Sequence, residues 1–302
     1  MSRLSPYAPH RSLVTSTREE ADVPRLVIGI VAVEFVFATA IELVDAILAS
    51  VPQSITNGYY KGDTAVGLLA QLLSYGFLAL AVVLVAKIIN QRSASSLIGN
   101  VFGALHMGRG TLFACLAVFA AIELLPPYYS LEGANSTGFG RWLLVLPFTA
   151  AALTVQTASE EIFYRGYIQQ QIAARFHAPL VWLVCPNLLF AAAHWNNTAG
   201  FNDAMSYVIW AFFFGLAASD LTARTGNLGA AIGFHLANNL YAFTLYSELG
   251  REDSGLALYL FPASESLLPP SATQSPILTL GLLTELMVLL VLWLSARVAV
   301  RR

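Results

Sequence analysis

Three short stretches carry side chains whose types and spacing suit hydrolysis: Ser159-Glu160-Glu161-Ile162-Phe163-Tyr164-Arg165, the pair Phe190 and His194, and the pair His235 and Asn239. Within each stretch two of these residues stand four apart, so they project from one face of a helix. Glu161 and Arg165 at that spacing form a charge-assisted pair, which leaves Glu160 free to point elsewhere. One unpaired carboxylate, two imidazoles and a carboxamide then remain. Glu160 and His194 can hold a water molecule and take its proton. His235 and Asn239 can donate hydrogen bonds to the oxyanion that forms when this water attacks an amide carbonyl. The same atoms admit a metal reading, with zinc held by Glu160, His194 and His235 and an open position for water. The metal-free route is preferred, because HExxH and paired cysteines are absent and Asn239 is a poor zinc ligand; it requires no cofactor.

The elements that must position these groups are membrane helices. Only 11% of the 302 residues are charged, 57% are hydrophobic and the mean hydropathy is +0.64. That is more apolar surface than one water-soluble domain can hide, so the long uncharged runs read as bilayer spans. Ionisable groups at membrane depth are costly and face a bundle interior or a wet cavity, which makes Glu160 and its neighbours functional candidates by default. A formal charge of -2 and a pI near 6.2 provide no basic field for nucleic acid. Cys115 and Cys185 lie in apolar runs and are expected as small buried hydrophobes.

In chain order, residues 1–24 are polar and read as a flexible cytoplasmic tail, and residues 25–302 as a single transmembrane domain. Spans are expected at 26–51, 65–89, 111–125, 142–175, 180–195, 204–221, 228–246 and 277–296, with a loop and a short interfacial helix over 90–110. The fold class is therefore an all-α membrane protein, a polytopic bundle of about eight helices around an internal polar cavity. The 247–276 segment, with Pro262, Pro269 and Pro270, reads as a long polar connection. In the first span Glu34, Glu42 and Asp45 fall within an arc of roughly 80° and are expected to turn inward as one acidic stripe. Asp220, near a helix end, is expected to be solvated.

With eight crossings and an inside amino terminus, thirteen of the sixteen Lys and Arg residues lie on the inner side and Lys61, Arg141 and Arg251 on the outer. This bias predicts both termini in the cytoplasm. One tension accompanies it. At ~1.5 Å per residue His235 lies only about 12 Å from Asn227, whereas Glu160 and His194 lie about 21–22 Å from their cytoplasmic helix ends. The seventh helix must start deeper, or tilt.

Glu160-Glu161 with Arg165 resembles the EExxxR motif, Phe190 to His194 the FxxxH motif and His235 to Asn239 the HxxxN motif of the CPBP family, the CAAX prenyl proteases and bacteriocin-processing or Abi proteins. The run from Thr225 through Gly233 to His235 is similar to the family's lead-in to its last motif, and the resemblance covers about residues 143–243. It implies an intramembrane protease with a conical cavity open to the cytoplasm, Glu160 and His194 as catalytic pair, His235 and Asn239 as oxyanion pair, and Glu161 and Arg165 as support. The implied substrate is a hydrophobic or prenylated peptide, the implied setting the lipid bilayer. The family has been described both as metalloproteases and as a glutamate-dependent class, so zinc stays open. The Ala-rich chain reads as a bacterial cell-membrane protein. A non-enzymatic membrane scaffold or small-solute transporter using the same pocket is the alternative function.

Overall fold

The computed structural model describes residues 6–15, 17, 21–126, 130–262 and 276–301. Its helices are α1 (His10–Val14), α2 (Val23–Leu48), α3 (Gln53–Lys61), α4 (Ala65–Ser74), α5 (Gly76–Ile89), α6 (Ala94–Ile98), α7 (Val101–Glu123) and α8 (Phe139–Glu161). A π-helical turn, Ile162–Ile168, joins α8 to α9 (Gln169–Arg175), followed by α10 (Pro179–Ala192), α11 (Phe201–Thr225), α12 (Gly229–Thr244) and α13 (Leu280–Ala299). Among the described residues six stretches are long and apolar enough to cross a bilayer: Val23–Leu48, Ala65–Ile89, Val101–Glu123, Phe139–Arg175, Phe201–Thr225 and Leu280–Ala299. The other two expected spans are the shorter α10 and α12, of 14 and 16 residues. Phe35, Phe102, Leu144 and Val298 stand exposed on the helix surfaces, a cost in water that lipid removes. The chain is an all-α polytopic membrane protein.

The bundle has two ends, each sewn together by hydrogen bonds. At one end the Leu228 amide donates to Ile98 O, Arg92 donates to the Gln170 side chain and Tyr7 donates to Asp220. At the other, Asp253 N donates to Lys61 O, Gly255 N to Gly62 O, and the Tyr241 and Tyr246 hydroxyls to Glu123. A small sheet caps this second end: β1 (Asn135–Ser136), β2 (Tyr246–Glu248) and β3 (Tyr259–Phe261) in the order β1-β3-β2. β3 pairs antiparallel with β1, Asn135 opposite Leu260, and parallel with β2, Tyr246 opposite Tyr259. The expected long connection is thus built structure up to Pro262, and its residues 263–275 lie outside the described ones.

The depth of α12 follows from its glycines. A Cβ at Gly229 would overlap the Ala104 carbonyl, and one at Gly233 would overlap the Gly108 carbonyl. Small residues four apart on both helices let α7 and α12 approach backbone to backbone, the usual way membrane helices gain packing without a hydrophobic driving force. This contact also explains why α7 is longer than expected. The mixed, Gly- and Ser-bearing stretch 90–110 reads as a loop with a short interfacial helix, but Asn100 caps α7 by accepting from Gly103 N at 2.7 Å, and Gly108 is part of the interface.

Three further expectations are corrected. Glu34 and Glu42 are exposed and Asp45 is half-buried; α2 packs mainly on α5 at the periphery and turns Gly29 and Val33 inward instead. Asp220 is buried, not solvated, accepting from Tyr7, Arg224 and the Trp293 indole. Cys115 is buried as expected, but Cys185 is exposed.

Within residues 1–24, the described part around α1 does not hang free: His10, Leu13 and Val14 are buried, and the His10 ring lies 4.7 Å from that of Trp182. Burial lowers the His10 pKa from 6.5 to about 4. The docked segment therefore binds fewer protons than the released one between these values. Docking stability is complete above about pH 6.5 and is lost as pH falls towards 4. The protection factor against hydrogen exchange at residues 7–14, with the intrinsic pH dependence of amide exchange divided out, is expected to be smaller at pH 5 than at pH 7.5 in the parent, and this difference is expected to shrink in His10→Phe.

Candidate active site

The first carboxylates are delivered by α8, which ends in the buried run Ser159, Glu160 and Glu161. Directly after them the helix widens into the π turn, a rare geometry that recurs at functional sites. Arg165 still reaches back one turn and donates to Glu161 Oε1 at 3.0 Å, with both side chains fully buried. Its other terminal nitrogen donates to Asn187 Oδ1 and to the Gly215 carbonyl, each at 3.1 Å. A side chain at residue 215 would collide with Asn187, so this glycine makes the room the guanidinium occupies. Phe190 stacks over the guanidinium at 4.6 Å and is buried among Tyr164, His194 and Phe214, a packing role.

Glu161 has a second partner that spacing alone did not reveal. Its Oε1 lies 2.9 Å from His235 Nδ1. A carboxylate can only accept, so Nδ1 carries the proton and His235 Nε2 turns towards Glu160, 3.9 Å from its Oε2. His194 is held by the same logic, its Nδ1 donating to the Phe190 carbonyl at 2.7 Å and leaving Nε2 available. Both rings are thus held through one nitrogen and free to act through the other.

Glu160 is fixed from the opposite side by a residue the motifs did not include. Gln156 Nε2 donates to Glu160 Oε1 at 2.5 Å, and Gln156 Oε1 accepts from Asn239 Nδ2 at 2.9 Å. Asn239 Oδ1 in turn accepts from Asn238 Nδ2 at 3.2 Å. Three carboxamides are lined up donor to acceptor, ending on the carboxylate. Gln156 precedes Glu160 by four, the same spacing used to read the other pairs, so its signal was present in the sequence.

Glu160, His194, His235 and Asn239 all line one cavity of about 710 Å³. Its wall is otherwise largely aromatic, with Phe119, Tyr207, Trp210 and Phe214, and it reaches the exposed loop residue Arg251. Glu161 and Arg165 lie behind this wall, and Glu34, Glu42 and Asp45 do not reach it. Among the described residues no group of three His, Cys, Asp or Glu side chains is arranged to hold a metal ion. Glu160, His194 and His235 share the cavity.

Residues 141–241 match the family model described as type II CAAX prenyl endopeptidase Rce1-like. The motif region is similar to that family. The matched segment includes all three motifs, so the resemblance to the CPBP family holds over the residues that bring Glu160, His194, His235 and Asn239 to the cavity, while α7 and α13, which complete its wall, lie outside the match. A curated relative, the uncharacterized protein YyaK of Bacillus subtilis (strain 168), is 30% identical over 143 residues. That match covers 45% of this chain and 46% of the relative, so the chain spans about half the length of the curated relative it matches. No solved structure matches.

Proposed function

We propose that this chain is an intramembrane endopeptidase that hydrolyses a peptide bond of an apolar polypeptide with a Glu/His-activated water. The observation that carries the reading is that Glu160 from α8, His194 from the turn that follows α10, and His235 and Asn239 from α12 line a single cavity. A water held between Glu160 and His194 Nε2 loses its proton to the carboxylate as it attacks the carbonyl carbon. Asn239 has a second N–H beyond the one given to Gln156 and directs it at the oxyanion. His235 can donate through Nε2 only as an imidazolium, and the Glu161 carboxylate at its Nδ1 is the group that would stabilise that charge. The proton on Glu160 then passes to the leaving amine as the C–N bond breaks. Similarity of the motif region to an endopeptidase family supports the reaction class.

Cleavage of a peptide library by purified protein in detergent tests the proposal. Asn239→Ala is expected to lower kcat about 10²- to 10³-fold with a smaller change in KM, the cost of one oxyanion donor. Binding of peptides with no cleavage of any of them would sink the peptidase and favour the scaffold or transporter. In a separate test, activity is expected to survive exhaustive chelation; loss on chelation and recovery with zinc would overturn the metal-free route.

A further inference from the structure

The cavity belongs to one end of the bundle. α12 contributes His235 through Phe243, in the part that leads to Thr244; α13 contributes Thr284 through Leu289, in the half nearer Leu280, and Leu292 just past its midpoint; α7 contributes Phe119 and Ile122, close to Glu123. The wall then extends to Arg251, in the loop that bonds the α3 tip and follows β2. This is the end capped by the small sheet. α1 sits at the opposite end, where Pro9 abuts Gly226 and Tyr7 bonds Asp220.

The basic residues divide along the same axis. Arg11, Arg92, Arg175, Arg224 and Arg297 lie at the α1 end, whereas the sheet end holds Lys61, Arg141 and Arg251. Lys and Arg accumulate on the cytoplasmic side of a membrane protein. Cytoplasmic termini, expected from the charge bias, and a cytoplasmic cavity mouth, implied by the family resemblance, exclude each other, because the fold places α1 and the mouth at opposite ends. The charge bias decides between them.

We infer that the cavity opens on the extracytoplasmic face, so that its substrate is an outward-facing apolar segment of a translocated or membrane-inserted polypeptide rather than a lipid-modified carboxyl terminus in the cytosol. The substrate class rests on the peptidase reading; the sidedness does not. Glu160 and the water it would activate are then reached from outside, past Arg251 and the aromatic wall.

Single-cysteine labelling of the full chain in intact cells, in a Cys185→Ser background that keeps the buried Cys115, tests the sidedness. Glu132→Cys and Glu252→Cys, at exposed positions of the sheet end, are expected to react with a membrane-impermeant maleimide at least ~10-fold faster than Ala94→Cys and His177→Cys at the other end. The latter should react at a comparable rate only after permeabilisation. The reverse order, or equal reaction of both ends in intact cells, overturns the inference. An impermeant quenched apolar peptide supplies the second arm. Its cleavage by intact cells expressing the parent but not Glu160→Gln supports the substrate class; cleavage by solubilised protein but not by intact cells overturns it. No cleavage in either setting, with the expected labelling, removes the peptidase and leaves the sidedness standing.

Discussion

Glu160→Gln is expected to lower peptide cleavage by roughly 10²- to 10⁴-fold, the range supplied by a positioned general acid–base group, without unfolding the protein. Gln keeps an oxygen in place to accept from Gln156 Nε2, so the carboxamide row that ends on this side chain survives. What disappears is the charged, proton-accepting oxygen that faces His235 Nε2 at 3.9 Å. Glu160 pairs with no Lys or Arg, in contrast to Glu161, and His235, the ring that faces it, keeps the Glu161 carboxylate at its Nδ1, so its neutralisation leaves no ion uncompensated. Turnover and thermal unfolding measured on the same detergent sample separate the two effects. An unchanged turnover number would remove Glu160 from the chemistry.

Arg165→Met is expected to have the largest effect on stability, about 3–5 kcal/mol, the cost of leaving one partner of a buried ion pair behind. Arg165 and Glu161 are both inaccessible to solvent, and the guanidinium also satisfies Asn187 and the Gly215 carbonyl. Removing it strands a carboxylate and the Asn187 oxygen, and takes away the second bond of the Gly215 carbonyl. His235 is expected to lose its orientation as well, since its Nδ1 bonds the same Glu161 oxygen. The double variant Arg165→Met/Glu161→Gln removes the stranded charge and should recover a large part of the lost thermal stability without recovering activity. Equal unfolding temperatures for parent and Arg165→Met would show that the pair does not hold the helix turn.

Spacing along the chain carried much of the site. Glu161 and Arg165 one turn apart pair at 3.0 Å, while Glu160, about 100° away on the same helix, faces the cavity instead. Gln156, four residues before Glu160, is legible by the same rule. The link between Glu161 and His235 was not legible, because 74 residues separate them and only the packing of α12 against α8 brings them together. Nor was Gly215 legible: the need for a missing side chain exists only once the guanidinium and Asn187 share one volume.

Composition and hydropathy alone determined that the chain is a polytopic helical membrane protein, because residues whose surface cannot be hidden in one water-soluble core require lipid. Motif spacing alone determined which side chains share a helix face, because the α-helical period is set by backbone hydrogen bonds and not by neighbours. The tertiary structure decided how deep α12 begins, through close backbone contact at Gly229 and Gly233, and that α8, α12 and the turn after α10 aim their polar side chains at one cavity. It decided also that this cavity lies at the end away from α1. Helix periodicity has no term for either fact, since depth and direction arise only when separate helices pack against each other.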